Sequence, residues 1–201
     1  MGDDMMVYLF GKKASGDVAT FRNGLWLPWD VADEFNKHRR VFVPATTPTK
    51  SVPQEWKTVL LYPENQERNL GQFKGKKLQF RNDQRPRACY VFFRFILAMV
   101  HFTCTRRDSK CQRNQSAITD SMVVELWKTW GDEGKYLCEN FVRGLIDLFG
   151  HDIPTDVANE MLKHSFSRSN SDDFDKLSDV IQDMEDEIEF ENESNPFWQR
   201  V

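Results

Sequence analysis

Three cysteines and one histidine near the middle of the chain are the residues whose types could hold a metal ion. Cys89, His101, Cys104 and Cys111 have the spacing C-x11-H-x2-C-x6-C. Zinc prefers four such ligands in a tetrahedron, and H-x2-C places two of them within one helical turn. Cys89 lies about four turns away along the same predicted helix, so the four ligands could converge only if that helix breaks. We therefore favour buried thiols and a histidine at the edge of the core, and we expect neither a metal nor another cofactor.

A basic segment with interleaved aromatic residues could bind phosphates. Residues 64–113 contain twelve Lys or Arg and only four Asp or Glu. The candidate nucleic-acid contacts are Lys74, Lys76, Lys77, Arg81, Arg85, Arg106, Arg107, Lys110 and Arg113, with Phe73 and Phe80 as stacking residues. Basic side chains beside exposed rings are typical of single-stranded nucleic-acid binding, in which bases stack and phosphates pair. Alternatively, the two rings face the core and the lysines are only solvated.

The basic residues form two groups, one on each side of an apolar helix. The helix would hold the groups roughly 25–30 Å apart by its rise alone, unless the flanking loops fold back. Tertiary structure therefore decides whether the chain has one basic surface or two.

The carboxy-terminal residues have the opposite charge and their own apolar pattern. Residues 171–201 contain eleven Asp or Glu and two Lys or Arg. An apolar seam at helical spacing runs through this segment and consists of Phe174, Leu177, Ile181, Met184 and Ile188. This pattern predicts an acidic amphipathic helix that docks on a partner, on a second copy or on the protein's own body. Phe197 and Trp198 follow it and complete the candidate partner-binding residues.

No local catalytic pattern accompanies these features. The sequence lacks a nucleophile elbow, a phosphate-binding glycine loop and an H-E-x-x-H motif, and its four histidines do not group with carboxylates or nucleophiles at motif spacing. We therefore predict a non-enzymatic protein that binds nucleic acid or another polyanion, with the acidic tail recruiting a partner or inhibiting the protein itself. The alternative is a regulatory or structural assembly protein with no nucleic-acid role, which self-associates through the acidic helix and the basic face.

Positioning these residues requires an α+β fold. The first 85 or so residues contain short β-like runs and one predicted helix, Val31–His38. The predicted strands are Met6–Phe10, Val18–Phe21, Arg40–Val43, Thr58–Tyr62 and Lys77–Phe80. The second half is mostly helical, and its predicted helices are Arg87–Thr103, Ser116–Trp130, Lys135–Phe149 and Thr155–Lys163. We expect one globular domain over residues 1–164, a polar linker over 165–171 and the acidic tail over 172–201.

The apolar segment Ala88–Cys104 allows two interpretations, a buried central helix or a membrane span. Its 17 residues are at the lower limit for crossing a bilayer, and Arg94 near the middle would cost about 2.5–3.5 kcal/mol on insertion. We therefore favour the central helix and expect no stable membrane insertion. The amino-terminal residues lack the pattern of a signal peptide, which predicts an intracellular protein, cytoplasmic or nuclear, with reduced cysteines.

Overall fold

The computed structural model describes residues 3–17, 19–20, 22, 24–46, 53, 55–61, 75–80, 85–108, 120–131, 135–149, 153 and 155–166. Within them the protein combines helices with two small sheets, so the predicted α+β class is confirmed at that level. The elements in chain order are α1 (Asp3–Phe10), α2 (Trp29–Asn36), β1 (Arg40–Pro44), β2 (Trp56–Leu60), α3 (Ala88–Asp108), α4 (Asp120–Lys128), β3 (Leu137–Cys138), α5 (Glu139–Phe149), α6 (Thr155–Lys163) and β4 (Ser165–Phe166).

Helix α3 is the centre of the fold, as the apolar segment predicts. It runs unbroken for 21 residues, and buried side chains occur all around it because neighbouring elements cover it on several sides. Arg94 lies over the Phe35 ring and donates hydrogen bonds to the carbonyls of Phe35 (3.3 Å) and Asn36 (3.5 Å) at the end of α2. Among the described residues, no helix combines the length and the apolar character needed to cross a membrane.

The densest part of the core is a cluster of aromatic rings around Phe92 of α3. Its ring centroid lies 4.8 Å from those of Trp130 and Tyr136 and 5.9 Å from that of Trp127. Trp56 of β2 joins the cluster through Trp130, at 5.6 Å. These edge-on and tilted contacts are the arrangements that aromatic rings prefer, so the cluster links β2, α3 and α4.

Strands β1 and β2 form an antiparallel pair in which Phe42 lies opposite Thr58. β1 is buried along its whole length, whereas β2 alternates between buried and partly exposed residues. The alternation leaves one face of β2 near the surface, and Lys57 lies on that face. The predicted strand Arg40–Val43 is thus confirmed, and the predicted Thr58–Tyr62 overlaps the observed β2.

Two predicted strands near the amino terminus were wrong. Met6–Phe10 belongs to helix α1, because a short apolar run does not distinguish a strand from a buried helix. The Asp3 carboxylate in the first turn of α1 accepts hydrogen bonds from the Ser15 hydroxyl (2.9 Å) and the Gly16 N–H (2.5 Å). Within the predicted strand 18–21, Thr20 closes a turn by donating its N–H to the carbonyl of Asp17 (3.1 Å).

The helices of the second half occur where the periodicity predicts them, with different limits. α6 matches its predicted range, whereas α5 begins at Glu139 because Leu137–Cys138 forms β3 and pairs in parallel with β4. Ser165 and Phe166 therefore belong to a sheet of the body rather than to the predicted linker. Residues 116–119 and the acidic tail lie outside the described residues.

Candidate nucleic-acid interface

A short segment extends the β1–β2 pair along the free edge of β2. The Gly75 N–H donates to the Thr58 carbonyl (2.9 Å), and the Thr58 N–H donates to the Lys76 carbonyl (3.1 Å). Gly75 has φ +71°, a left-handed conformation that suits glycine at the start of this pairing. The predicted strand Lys77–Phe80 is reduced to a single bridge between Lys77 and Lys57.

This pairing brings two lysines together on the exposed face of β2. Residues directly opposite each other project from the same face, so Lys57 and Lys77 are neighbours. The Nζ of Lys77 lies 2.6 Å from the Glu55 carboxylate, and both side chains are exposed. An exposed pair of this kind contributes little stability, so Lys77 remains available to an anionic ligand.

Arg85 connects these lysines to a second group of cations. Its guanidinium carbon lies 4.1 Å from the centroid of the Phe80 ring, three residues beyond Lys77. Phe80 is partly buried against the core, and Arg85 lies over its ring. A base would therefore stack on the Arg85 guanidinium more readily than on Phe80, which revises the predicted role of Phe80 as a stacking residue.

Asp17 organises the next two arginines. Its carboxylate is 6% exposed, accepts a hydrogen bond from the Tyr90 hydroxyl (2.8 Å) and lies 2.9 Å from Nε of Arg87. Arg22 approaches the same carboxylate at 3.6 Å, and its carbonyl accepts the Arg87 N–H (2.9 Å). Burial, followed by this hydrogen bond, raises the pKa of Tyr90, so its hydroxyl stays a donor. One carboxylate thus holds two arginines that are each partly exposed.

We call these connected cations the basic path, which consists of Lys57, Lys77, Arg85, Arg87 and Arg22. Lys57 and Arg22 were missed as candidates because they lie outside residues 64–113, and Arg87 was not chosen as a contact although it belongs to the same basic segment. Of the predicted residues, Lys76, Lys77, Phe80 and Arg85 lie on or beside the path, whereas Lys74, Arg81 and Phe73 lie outside the described residues.

The second predicted basic group is not brought to this path by α3. Arg106 and Arg107 lie in the last turn of α3, and 18 residues separate Ala88 from Arg106, so the helical rise places them roughly 27 Å apart. Lys110 and Arg113 lie outside the described residues, as do the candidate partner-binding residues of the tail, namely Phe174, Leu177, Ile181, Met184, Ile188, Phe197 and Trp198.

Two tryptophans form an exposed feature that the sequence reasoning missed. Trp26 is fully exposed and Trp29 is 78% exposed, whereas Leu25 and Leu27 pack against the core. The alternation of Leu25, Trp26 and Leu27 directs the two leucines inward and the indole outward, and this alternation is the signal that could have revealed it. Trp26 follows Arg22 of the basic path by only four residues.

Two of the four residues weighed as metal ligands, Cys89 and His101, lie far apart in the described structure. Because α3 is unbroken, Cys89 and His101 are separated by roughly 18 Å of helical rise. Burial raises the pKa of Cys89 to about 12, so it is a neutral thiol in the folded protein. Cys104 has a described backbone only, and Cys111 lies outside the described residues. Within the part of the chain that the structure describes, no three His, Cys, Asp or Glu side chains are grouped to hold a metal.

No protein-family model matches this chain, and no match was found among curated proteins or solved structures. The basic path and the exposed indoles are therefore the features of the chain that point to a function. Together they offer cations for phosphates and flat apolar faces for bases.

Proposed function

We propose that this protein binds polyanions, and single-stranded nucleic acid in particular, without chemically altering them. The observation that supports the proposal is the basic path, in which five cationic side chains from three chain segments are linked by direct contacts or short stretches of chain. Two carboxylates, Glu55 and Asp17, lie along it and neutralise part of its charge.

The strength of binding should follow from counterion release. Each phosphate neutralised on a single strand lowers the slope of log K against log salt by about 0.7. If all five cations of the basic path contact phosphates, the expected slope is about −3.5. Binding of this kind is independent of base sequence, because phosphate contacts position a strand without distinguishing its bases.

Trp26 supports a preference for unpaired bases over a duplex. A fully exposed indole, four residues from Arg22 along the chain, offers a stacking face that a base pair inside a helix cannot use. Trp29 is less suited to this role, because Asp30 follows it directly and its carboxylate would repel a nearby phosphate.

Fluorescence anisotropy of the full-length chain with a labelled 30-nucleotide single strand, at salt concentrations from 50 to 300 mM, tests the proposal. We expect the double variant Lys77→Gln, Arg85→Gln to bind at least tenfold more weakly at low salt and to have a shallower salt slope, by about 1.4. A duplex of equal length should bind more weakly than the single strand. Absence of binding by the unmodified chain at 50 mM salt would contradict the proposal.

The matched control is the double variant Lys128→Gln, Lys163→Gln. Both lysines are about half exposed, and each is paired with a glutamate three residues earlier in its own helix. They thus resemble Lys77, which is exposed and paired with Glu55, but they lie on α4 and α6. The control removes the same charge, so it should leave the salt slope unchanged. An equal loss in both double variants would mean that net charge, and not the basic path, determines affinity.

A protein partner is the second candidate, and the exposed tryptophans favour it because tryptophan is enriched at the centres of protein interfaces. In either case we assign the acidic tail, residues 172–201, to partner recruitment or to competition for the basic path. We expect such a protein to act inside the cell. Light scattering of the full-length chain with and without the seam variant Leu177→Asp, Ile181→Asp tests assembly, since only a self-associating tail predicts a lower mass for the variant.

A further inference from the structure

His38, which follows the end of α2, has a backbone conformation that is uncommon for a histidine. The N–H of His38 donates to the Phe35 carbonyl (3.3 Å) and the N–H of Arg39 donates to the Glu34 carbonyl (2.9 Å). This pair of hydrogen bonds is a Schellman motif, and its left-handed position is occupied by His38, with φ +54°. Glycine is usual at this position. Every other described residue with positive φ is a glycine, so His38 is exceptional in the described structure.

The side chain of His38 is buried and in contact with a second imidazole ring. It is 3% exposed, and its ring lies against that of His101 on α3, with centroids 5.4 Å apart and planes inclined by 38°. Nδ1 of His38 is buried and has no hydrogen-bond partner among the described residues. A neutral ring can be buried here at a moderate cost in free energy. A charged ring would carry an N–H at Nδ1 that has no acceptor among the described residues, and its burial would cost more.

The charges around the two rings make protonation still less favourable. The groups that face the pair, or lie on the elements packed against it, are Arg94 of α3, Arg39 before β1, Arg40 of β1, and Asp30, Asp33, Glu34 and Lys37 of α2 and its end. Arg39 bonds Glu34 at 3.1 Å and approaches Asp33 at 3.6 Å, while Oε2 of Glu34 has no hydrogen-bond partner among the described residues. The cations therefore dominate the field at the rings.

Burial and these cations act in the same direction on both histidines. Burial, then Arg94 and His101, lower the pKa of His38 to about 3. Burial, then Arg39, lower the pKa of His101 to about 4. If the end of α2 opens and the two rings separate, the rings are solvated and return to the ordinary pKa of about 6.5.

We propose that His38 and His101 form an acid-sensitive switch at the junction of α2 and β1. Acidification favours the state in which the rings leave each other and the Schellman motif opens, because only that state accepts the protons. The exposed Trp29 lies at the other end of α2, so opening the motif loosens the helix that presents this indole. Because it depends only on the Schellman motif and the two histidine rings, the switch is independent of the proposed nucleic-acid binding.

The direction and size of the effect follow from linkage. A ring whose pKa is lower in the closed state contributes stability that is complete above pH 6.5 and is lost as the pH falls toward the closed-state value. Each ring then raises the opening equilibrium constant about tenfold per pH unit below 6.5. Between pH 7.5 and 5.5 the expected increase is about tenfold for one ring and up to a hundredfold for both.

Amide hydrogen exchange on the full-length chain tests the switch, with rates converted to protection factors to remove the intrinsic effect of pH. The informative amides are those of Arg39 and of Leu61, which donates to the Arg39 carbonyl (2.8 Å). Their protection should fall at least tenfold from pH 7.5 to 5.5, while that of Leu145 in the core of α5 should fall less. Parallel losses at all three amides would overturn the proposal, because they would indicate global unfolding.

The variant His38→Asn tests the contribution of the imidazole ring while keeping the backbone conformation of the Schellman motif. Asparagine tolerates the left-handed conformation but does not titrate, so the variant should lose about tenfold of the pH response at Arg39. His38→Gly, which suits the conformation better, is the second variant and should lose the same part. An unchanged pH response in either variant would exclude the switch.

An NMR titration of the imidazole Cε1–H signals needs no variant. In the closed protein His38 and His101 should remain neutral down to pH 5, whereas an exposed histidine titrates near 6.5. Titration of either ring near 6.5 without loss of protection at Arg39 would equally contradict the proposal.

Discussion

The five tryptophans that the structure describes form two groups that differ in what surrounds them. Trp56, Trp127 and Trp130 are buried and in contact with other rings, whereas Trp26 and Trp29 are exposed. The buried group joins β2, α3 and α4, so these rings stabilise the fold. The exposed group buries little area in the folded state, so it contributes little to stability. If the exposed indoles bind a ligand as proposed, stability and binding measurements will separate the two groups.

The largest expected effect is on stability in the buried group. Trp127→Ala should lower the free energy of unfolding by about 3–5 kcal/mol, because the ring packs against Phe92 and Phe95 and its loss leaves a cavity. Urea unfolding followed by circular dichroism measures the change. Trp26→Ala is the matched control, and its change should stay within about 0.5 kcal/mol. Equal losses in the two variants would remove the distinction between the groups.

An intermediate effect is expected on binding in the exposed group. Trp26→Ala should weaken the affinity for a single strand by about 1–3 kcal/mol, roughly 5- to 150-fold, since one base loses its stacking partner. Trp29→Ala should lose less, because Asp30 disfavours a phosphate beside it. Anisotropy at constant salt measures both affinities. A larger loss for Trp29 would instead make Trp29 the main stacking residue and contradict the role assigned to Trp26.

The smallest expected effect is on the stability of a variant at an exposed residue of α4, the helix that also contains Trp127. Met122 lies on α4, as Trp127 does, but is 46% exposed. Met122→Gln should therefore change the free energy of unfolding by no more than about 0.5 kcal/mol, against several for Trp127→Ala. The same urea titration compares the two variants. A loss above 1 kcal/mol for Met122→Gln would show that this face of α4 is packed in solution.

Particular elements show how far local pattern determines structure here. The range of α6 is predicted because a threonine begins it and its apolar residues repeat at helical spacing, both of which are local properties. The helix α1 is predicted as a strand, because the apolar run Met6–Phe10 satisfies either structure and only its packing against the core selects one. The short strand β3 is missed, because Leu137–Cys138 becomes a strand only through pairing with residues 165–166.

The candidate site divides in the same way. Lys77 and Arg85 are found from the sequence because they belong to a dense basic run. Arg22 is not, since its hydrogen bond to Arg87 and its approach to Asp17 are contacts of the folded chain. The apparent alternation of lysines with Phe80 overstates that ring as a stacking surface, because Arg85 lies over it in the folded state.

By itself, the sequence determined the charge division, the central apolar helix and the positions of most elements, because these depend on composition and on periodicity over neighbouring residues. Only the tertiary structure decided which charges and rings are neighbours. It assembled the basic path from three segments, separated Cys89 from His101 along an unbroken helix, and placed His38 against His101. The physical reason is that such contacts join residues distant in the chain, and their formation depends on the packing of the whole core.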